Sequence, residues 1–359
     1  MIRRFLALWA FCASVAAWSQ PAAYSSFSSL TQGGSARLVG LGWDALAHPG
    51  DVGFSAFNPA LLRHEHRGQI ALTSQASLGG VRVGSLSYGL PVGGKPGRGE
   101  APLVQWDAQR GLHGWSAPSW TMAVGVDYLQ TGWLEERDAA GELTGTFRAQ
   151  EVTPRMAAAA HWNGFTAGLG GKLAMLTYGP YTAQALALDA GLLWTLDSGR
   201  TSFGLVVKNA GRSIEYFASE RESLPMDVQV VLSQKLKHAP FRWNLAYTHL
   251  QRWDMRYLDP QLITKDPLSG EVTVQEISIW NNALRHLHPS VEAQLGGRIF
   301  VQVGYDVRRQ MEMRLPTRRS NPGLSFGLSL QTARMAYQYG SAVYHVAGRL
   351  NQFTLIRRL

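Results

Sequence analysis

Large apolar residues alternate with small or polar residues along much of the chain. In residues 120–128 the even positions hold Trp, Met, Val, Val and Tyr, whereas the odd positions hold Thr, Ala, Gly and Asp. The same period of two returns in residues 186–194, 301–306, 324–331 and 335–340. Because successive side chains of a β-strand point to opposite faces, this pattern predicts strands with one apolar face and one face of small and polar residues.

The small and polar face separates the candidate β folds. A transmembrane barrel turns apolar residues to lipid and small or polar residues to its lumen, and it carries aromatic girdles near its strand ends. Tyr128, Trp162, Trp194 and Trp253 stand near predicted strand ends. The sequence therefore predicts an all-β, transmembrane antiparallel β-barrel, with a large soluble β-sandwich or propeller as the alternative.

The N-terminus has the features of a secretory signal peptide. Arg3 and Arg4 precede an apolar run over residues 5–17 that is too short for a spanning helix, and we expect cleavage after Ser19. The only cysteine, Cys12, lies in this run, so the mature chain is expected to have no thiol. Removal of the two arginines lowers the formal charge from +9 to +7, and the dispersed basic residues do not indicate a nucleic-acid partner.

Counting the alternating segments gives about 14 strands, an even number that returns both barrel termini to the periplasm. The predicted organisation is a signal peptide at 1–19, an N-terminal plug (hatch) segment at 20–68 that fills the lumen, and an outer-membrane barrel at 69–359. The predicted strand cores are 69–75, 81–89, 120–129, 155–162, 166–176, 185–195, 202–208, 226–236, 242–250, 290–295, 299–307, 323–330, 334–339 and 352–356.

The predicted connections are short on one side and long on the other. Bacterial barrels place short turns in the periplasm and long loops outside the cell, so this asymmetry predicts the orientation. Residues 91–118 break the rule and are interpreted as an insertion on the periplasmic side. The short set is 162–164, 197–200, 237–240, 296–297 and 331–333, and the long set is 131–150, 208–225, 251–289, 309–322 and 340–351.

Two stretches, 58–62 and 224–254, have the character of family motifs. With them, nearly the whole mature chain resembles the PorQ family of the type IX secretion system of Bacteroidota, which is similar to PorV and to FadL-type barrels. The block at 224–254 carries most of this resemblance, whereas the Asn-Pro-Ala motif within 58–62 recurs in FadL-like barrels in general. The insertion at 91–118 departs from the family pattern. Further matching stretches are 35–42, 145–149, 303–305, 308–313, 323–327 and 344–348.

The resemblance implies a non-catalytic component of the type IX secretion system that anchors a surface partner in the attachment complex. The implied partners are a PorZ-like surface protein, PorU and PorV homologues, outer-membrane lipids and lipopolysaccharide. In that complex the peptidase-like chemistry belongs to PorU. The alternative is a FadL-like passive transporter of hydrophobic molecules, which would need a continuous apolar pocket leading to a lateral opening.

Two patterns that suggest chemistry are interpreted as structural. Ser325 stands in a G-x-S-x-G pattern at 323–327, but a hydrolase needs a sharp strand-to-helix turn there, and this serine lies inside an alternating strand. The pairs His64/His66 and His286/His288 have a metal-ligand spacing, but both fall in predicted connections without a visible third ligand. We therefore expect no enzyme activity, no metal and no cofactor.

The plug motif consists of Asn58, Pro59 and Ala60. Asn before Pro favours an extended or turn geometry, and the Asn side chain can cap the turn that follows. This turn would either stabilise the plug or gate a ligand.

Five arginines crowd one predicted surface loop in which only Glu312 opposes them. Guanidinium groups bind carboxylates and phosphates in bidentate fashion, so this loop is a candidate docking site for a partner or for lipopolysaccharide phosphates. The other interpretation is a solvated loop. The arginines are Arg308, Arg309, Arg314, Arg318 and Arg319.

Overall fold

Fourteen antiparallel strands close into a barrel in the computed structural model, as the alternation predicted. The structure describes residues 26–92, 119–162, 164–217, 223–256, 263–265, 272–274, 278–314, 320–345 and 347–359. The predicted signal peptide and most of the predicted insertion at 91–118 lie outside these residues.

The strands follow one another around the barrel in chain order, and β1 pairs with β18 to close the wall. Two additional hairpins, β4–β5 and β12–β13, form separate two-stranded sheets. The strands are β1 (Gln69–Ala76), β2 (Arg82–Leu90), β3 (Ser119–Gln130), β4 (Leu134–Arg137), β5 (Leu143–Phe147), β6 (Ala149–Trp162), β7 (Phe165–Tyr178), β8 (Tyr181–Leu196), β9 (Thr201–Glu215), β10 (Asp227–Lys235), β11 (Phe241–Tyr247), β12 (Ile263–Lys265), β13 (Val272–Val274), β14 (Leu287–Leu295), β15 (Ile299–Tyr305), β16 (Leu324–Gln331), β17 (Met335–His345) and β18 (Gly348–Arg358).

The two ends of the barrel differ in their connections. We call the end at which β1 begins and β18 ends the terminal end, and the opposite end the loop end. All the predicted short turns lie at the terminal end, and long connections at the loop end span 131–148, 216–226, 248–286 and 306–323. Two of these contain short helices, α2 (Ile279–Arg285) and α3 (Val307–Met313).

The prediction of a long loop at 340–351 is wrong. Strand β17 continues to His345 and β18 begins at Gly348, so the connection is a tight turn. The small residues Gly340, Ser341 and Ala342 look like the end of a strand in sequence, but here they lie opposite β18 and remain in its ladder. Strand β9 likewise continues past its predicted end, with Asn209 in a left-handed conformation (φ 54°) at a shift in register.

The barrel wall has apolar residues outside and small or polar residues inside. On β16, Phe326 and Leu328 are exposed on the outer face, whereas Ser325 and Ser329 are buried on the inner face. This distribution is the inverse of that in a soluble protein. It is the one expected for a transmembrane barrel, whose outer face contacts lipid. None of the helices in the described ranges is long and apolar enough to cross a membrane.

Residues 26–68, which we call the N-terminal segment, lie inside the barrel. The segment contains one short helix, α1 (Ala36–Gly40), which packs against β16, β17 and β18. It also contains 3-10 turns at Ser28–Thr31, Val52–Ala56, Pro59–Leu61 and His64–His66. Its apolar residues share a buried cluster with inward-facing wall residues, including Leu38, Leu46, Phe54 and Leu61 of the segment and Leu193, Val206, Val231 and Ala246 of the wall.

Candidate functional site

A cavity of about 560 Å³ lies at the loop end of the lumen. It is bounded below by the N-terminal segment and at the sides by the ends of the strands and the long connections. Charged and apolar side chains both line it, and the charged ones include those of α3. The apolar part of the lining includes Leu30, Trp43, Phe57, Leu78, Leu224 and Tyr344.

Buried ion pairs form the floor of this cavity. The Lys208 Nζ atom lies 3.2 Å from Asp44 Oδ1 and 3.0 Å from Asp227 Oδ2. On the other side of Asp44, His288 Nδ1 lies 3.0 Å from Oδ2. These contacts join the N-terminal segment to β9, β10 and β14. Charges with this little solvent exposure are tolerated only when they are paired in this way.

Asp306 connects this floor to α3. Its Oδ1 atom accepts a hydrogen bond from the backbone N–H of Arg309 at 2.9 Å and so caps the helix. The Arg309 guanidinium lies 3.5 Å from Asp306 Oδ2, and His288 Nε2 lies 3.8 Å from Oδ1. Burial alone would raise the pKa of the Asp306 carboxyl, but His288 and Arg309 together hold it below its usual range. Asp306 is therefore an anion at neutral pH.

Two aromatic rings flank Arg309 in the cavity wall. Its guanidinium carbon lies 4.2 Å from the centre of the Tyr344 ring and 5.9 Å from that of Trp43. Trp43 has a left-handed backbone (φ 67°), a conformation that is costly for a bulky side chain. Its buried indole Nε1 has no hydrogen-bond partner among the described residues. Trp43 thus combines a strained backbone with an unused donor beside the cavity.

His249 and Arg308 form a second polar edge of the cavity. Burial lowers the pKa of the His249 imidazole to about 4, an effect that Asp227 opposes and Arg308 reinforces. The imidazole is therefore neutral at pH 7. Its Nε2 atom can then accept a hydrogen bond from Arg308 Nη1, which lies 3.2 Å away.

The structure divides the predicted docking cluster. Arg308 and Arg309 lie on α3 and line the cavity, whereas Arg314 is exposed at the end of that helix. Arg318 and Arg319 lie outside the described residues. The expectation that only Glu312 opposes the cluster is wrong, because Asp306 pairs with Arg309. Glu312 pairs with two arginines. Its Oε1 atom lies 3.2 Å from Arg285 Nη1, and its Oε2 atom lies 3.9 Å from Arg308 Nε.

The plug motif forms a capped turn against the wall. Asn58 Oδ1 accepts the backbone N–H of Ala60 at 2.9 Å, and Asn58 Nδ2 donates to the Leu46 carbonyl at 2.7 Å. Pro59 begins the 3-10 turn that follows. The motif contacts Gly168 and Gly191, which pair across β7 and β8. A Cβ atom on Gly191 would lie 2.0 Å from Asn58 Oδ1, so the motif needs glycine at this position.

The other chemical candidates have structural partners. Ser325 lies in the middle of β16, and its hydroxyl donates to the Gly40 carbonyl at 3.3 Å. The prediction that both histidine pairs lie in connections is wrong for His288, which is an inward-facing residue of β14. The Nε2 atom of His64 lies 2.8 Å from the Ser119 hydroxyl, and the Nε2 atom of His66 lies 3.2 Å from the Gly50 carbonyl oxygen. Within the described ranges no cluster of three or more potential ligands could hold a metal ion.

Sequence reasoning missed the ionic floor, although a signal for it exists. Lys208 and Asp227 both occupy inward positions of alternating strands, where most residues are small or uncharged. Isolated charges of opposite sign on the lumen face of different strands are a reason to expect a buried pair. The pairing itself depends on which strands are neighbours.

Comparisons with known proteins do not identify a family for this chain. No family model matches the chain, and no curated protein matches it. Among solved structures, the toluene transporter TbuX of Ralstonia pickettii is 11% identical and has a TM-score of 0.47, with 92% of this chain and 99% of that chain covered. The CymD monoaromatic hydrocarbon channel is 11% identical with a TM-score of 0.48, covering 92% and 98%.

A Pseudomonas aeruginosa FadL homologue is 9% identical with a TM-score of 0.46, covering 91% of this chain and 98% of that chain. Similarity at this level carries no argument about family, substrate or mechanism. The resemblance to the PorQ family gains no support from these comparisons and stays a prediction.

Proposed function

We propose that the chain is an outer-membrane barrel that admits small hydrophobic or amphiphilic molecules passively, with the cavity at the loop end as their first binding site. The cavity carries this proposal. Its volume is in the range of small-molecule sites, and it combines apolar walls with a few positioned polar groups. The apolar outer face of the wall supports the location, and the long connections support a loop end that faces outside the cell.

A gap in the strand pairing of the wall supports a lateral exit from the lumen. The ladder between β6 and β7 pairs Val152 with Met175 and resumes at Arg155 with Lys172. Between them stands Pro154, which has no backbone N–H to donate. The neighbouring Thr153 hydroxyl contacts Ser29 at 2.6 Å, next to Leu30 in the cavity lining. We infer that a bound molecule leaves here for the bilayer.

The anchoring of a PorZ-like partner stays a prediction. An electrostatic docking site would need a concentrated exposed charge, but Arg308 and Arg309 lie against the cavity and are engaged with His249, Asp306 and Tyr344. The geometry of Arg308 and Arg309 therefore favours a role for these two residues in the cavity over a role in anchoring.

Uptake of N-phenyl-1-naphthylamine tests the proposed transport. This neutral dye fluoresces on entering a membrane, and an intact outer membrane retards its entry. Cells that carry the barrel should take it up several-fold faster than cells without it. Filling the cavity with Leu78→Trp and Leu224→Trp together should abolish this increase, because both side chains line the cavity.

The matched control for that experiment is Leu328→Trp, which adds the same ring to the exposed outer face. It should leave uptake unchanged at equal barrel abundance. Uptake that is no faster with the wild-type barrel, or equal uptake by the cavity-filled variant, would refute the transport role.

The orientation is tested by labelling intact cells with a membrane-impermeant maleimide. Arg314 is exposed at the loop end, whereas His238 is exposed in a turn at the terminal end. We expect Arg314→Cys to be labelled in intact cells and His238→Cys to be labelled only after lysis. The reverse result would place the loop end in the periplasm.

A further inference from the structure

Helix α2 has an inverted distribution of polar and apolar residues. Ile279, Trp280 and Leu284 are 65%, 78% and 46% exposed, whereas Asn282 and Arg285 are buried. At 100° per residue, the three apolar residues share one face and the two polar residues lie on the opposite face. A helix on the surface of a soluble protein would have the reverse arrangement, as would the outer wall of a soluble barrel.

Specific contacts fix the direction of the apolar face. Asn282 Nδ2 donates to the Trp253 carbonyl at 2.6 Å, and Asn282 Oδ1 accepts from the Met255 backbone N–H at 2.9 Å. Arg285 Nη1 donates to Glu312 Oε1 on α3 at 3.2 Å. The polar face of α2 is thus held against α3 and the 253–255 segment, and its apolar face points away from them.

The C-terminal end of α2 lies beside the outer surface of the wall. His286 follows α2 directly and forms an aromatic cluster with Tyr247 at the end of β11 and with Trp253. The ring centroids of Tyr247 and Trp253 lie 5.0 and 5.4 Å from that of His286 and 6.3 Å from each other. Strand β14 begins at the next residue, and its outward Val291 is exposed among the apolar residues of the wall. An aromatic cluster of this kind at a strand end marks the membrane interface in transmembrane barrels.

We propose that α2 is an interfacial helix that inserts Ile279, Trp280 and Leu284 into the lipid of the outer leaflet around the barrel. The aromatic cluster that links α2 to the outward Tyr247 points to lipid as the occupant, and a tryptophan with one polar edge suits the boundary between headgroups and acyl chains. Through Arg285 and Glu312, this contact would also hold α3 in place at the cavity mouth. The inference is independent of what the cavity binds.

Site-directed spin labelling in vesicles tests this proposal. The chain has one cysteine, so a Cys12→Ser background allows a single nitroxide at Trp280→Cys. Two matched variants provide the references for a lipid-exposed and a water-exposed label. Leu169→Cys labels an outward residue of β7 that is 70% exposed, and Leu143→Cys labels the β5 hairpin strand, where the residue is 57% exposed. Each full-length variant is reconstituted in phosphatidylcholine and phosphatidylglycerol vesicles.

Collision of the label with oxygen, which concentrates in lipid, is compared with collision with a water-soluble nickel chelate. We expect the label at 280 to favour oxygen, as the label at 169 should, while the label at 143 favours nickel. A label at 280 that behaves like the one at 143 would overturn the proposal. So would a label that neither reagent reaches, because that result would place a protein surface there.

Discussion

Replacement of Glu292 with leucine is expected to lower the free energy of unfolding by about 3–5 kcal/mol, because it leaves a buried cation without its partner. Two nitrogen atoms of Arg37 lie 2.6 and 2.7 Å from the Glu292 carboxylate, and His48 Nε2 lies 3.2 Å from it. All three side chains are almost fully buried. Denaturant unfolding of the reconstituted barrel, followed by tryptophan fluorescence, measures the loss.

Two variants determine whether burial causes this effect. Arg37→Met combined with Glu292→Leu removes both charges and should recover most of the lost stability. Glu135→Leu breaks an exposed pair with Arg137 at a similar distance of 2.7 Å and should cost about 1 kcal/mol or less. An equal loss for Glu292→Leu and Glu135→Leu would show that the buried pair does not stabilise the N-terminal segment in the lumen.

Gly168→Val should displace the N-terminal segment from the wall. A Cβ atom at this position would lie 2.3 Å from the backbone nitrogen of Ala60, and backbone cannot move aside as a flexible side chain can. Overpacking of a filled interior costs about 1–3 kcal/mol, and we expect the upper end of that range here. Trypsin should then cleave the folded variant after Arg37 and Arg63. The wild-type chain should resist cleavage at both sites.

The matched control for this prediction is Gly84→Val on β2. A Cβ atom there would meet no other atom within 4 Å, so the same added side chain should leave both stability and protease resistance unchanged. Resistance of Gly168→Val to trypsin at wild-type stability would contradict the close packing of the plug motif against β7.

The parts of the fold that depend on local pattern were predictable from sequence. The strand β16 and the inward position of Ser325 follow from a period of two within eight residues, and the cap at Asn58 involves a donor only two residues away. The pattern ends β17 too early because Gly340 and Ser341 lack the large side chains that define the alternation, although their backbone still pairs with β18.

The candidate site could not be predicted in the same way. Asp44, Lys208 and His288 are far apart in the chain and meet only because the strands have a particular register and the N-terminal segment lies at a particular depth. Alternation defines which face a residue occupies, but not its neighbour across the lumen. The arginine cluster shows the same limit, since Arg309 lines the cavity whereas Arg314, in the same predicted loop, is exposed.

The position of the N-terminal segment constrains the order in which the molecule can assemble. Strands β1 and β18 are joined by register pairs from Gln69–Arg358 to Ala76–Asn351, and this seam completes the wall around the segment. Once the wall is closed, the barrel would have to open again to take up a segment as large as residues 26–68. Pairing of β1 with β18 therefore seals the barrel, and the N-terminal segment must already be in place when these two strands pair.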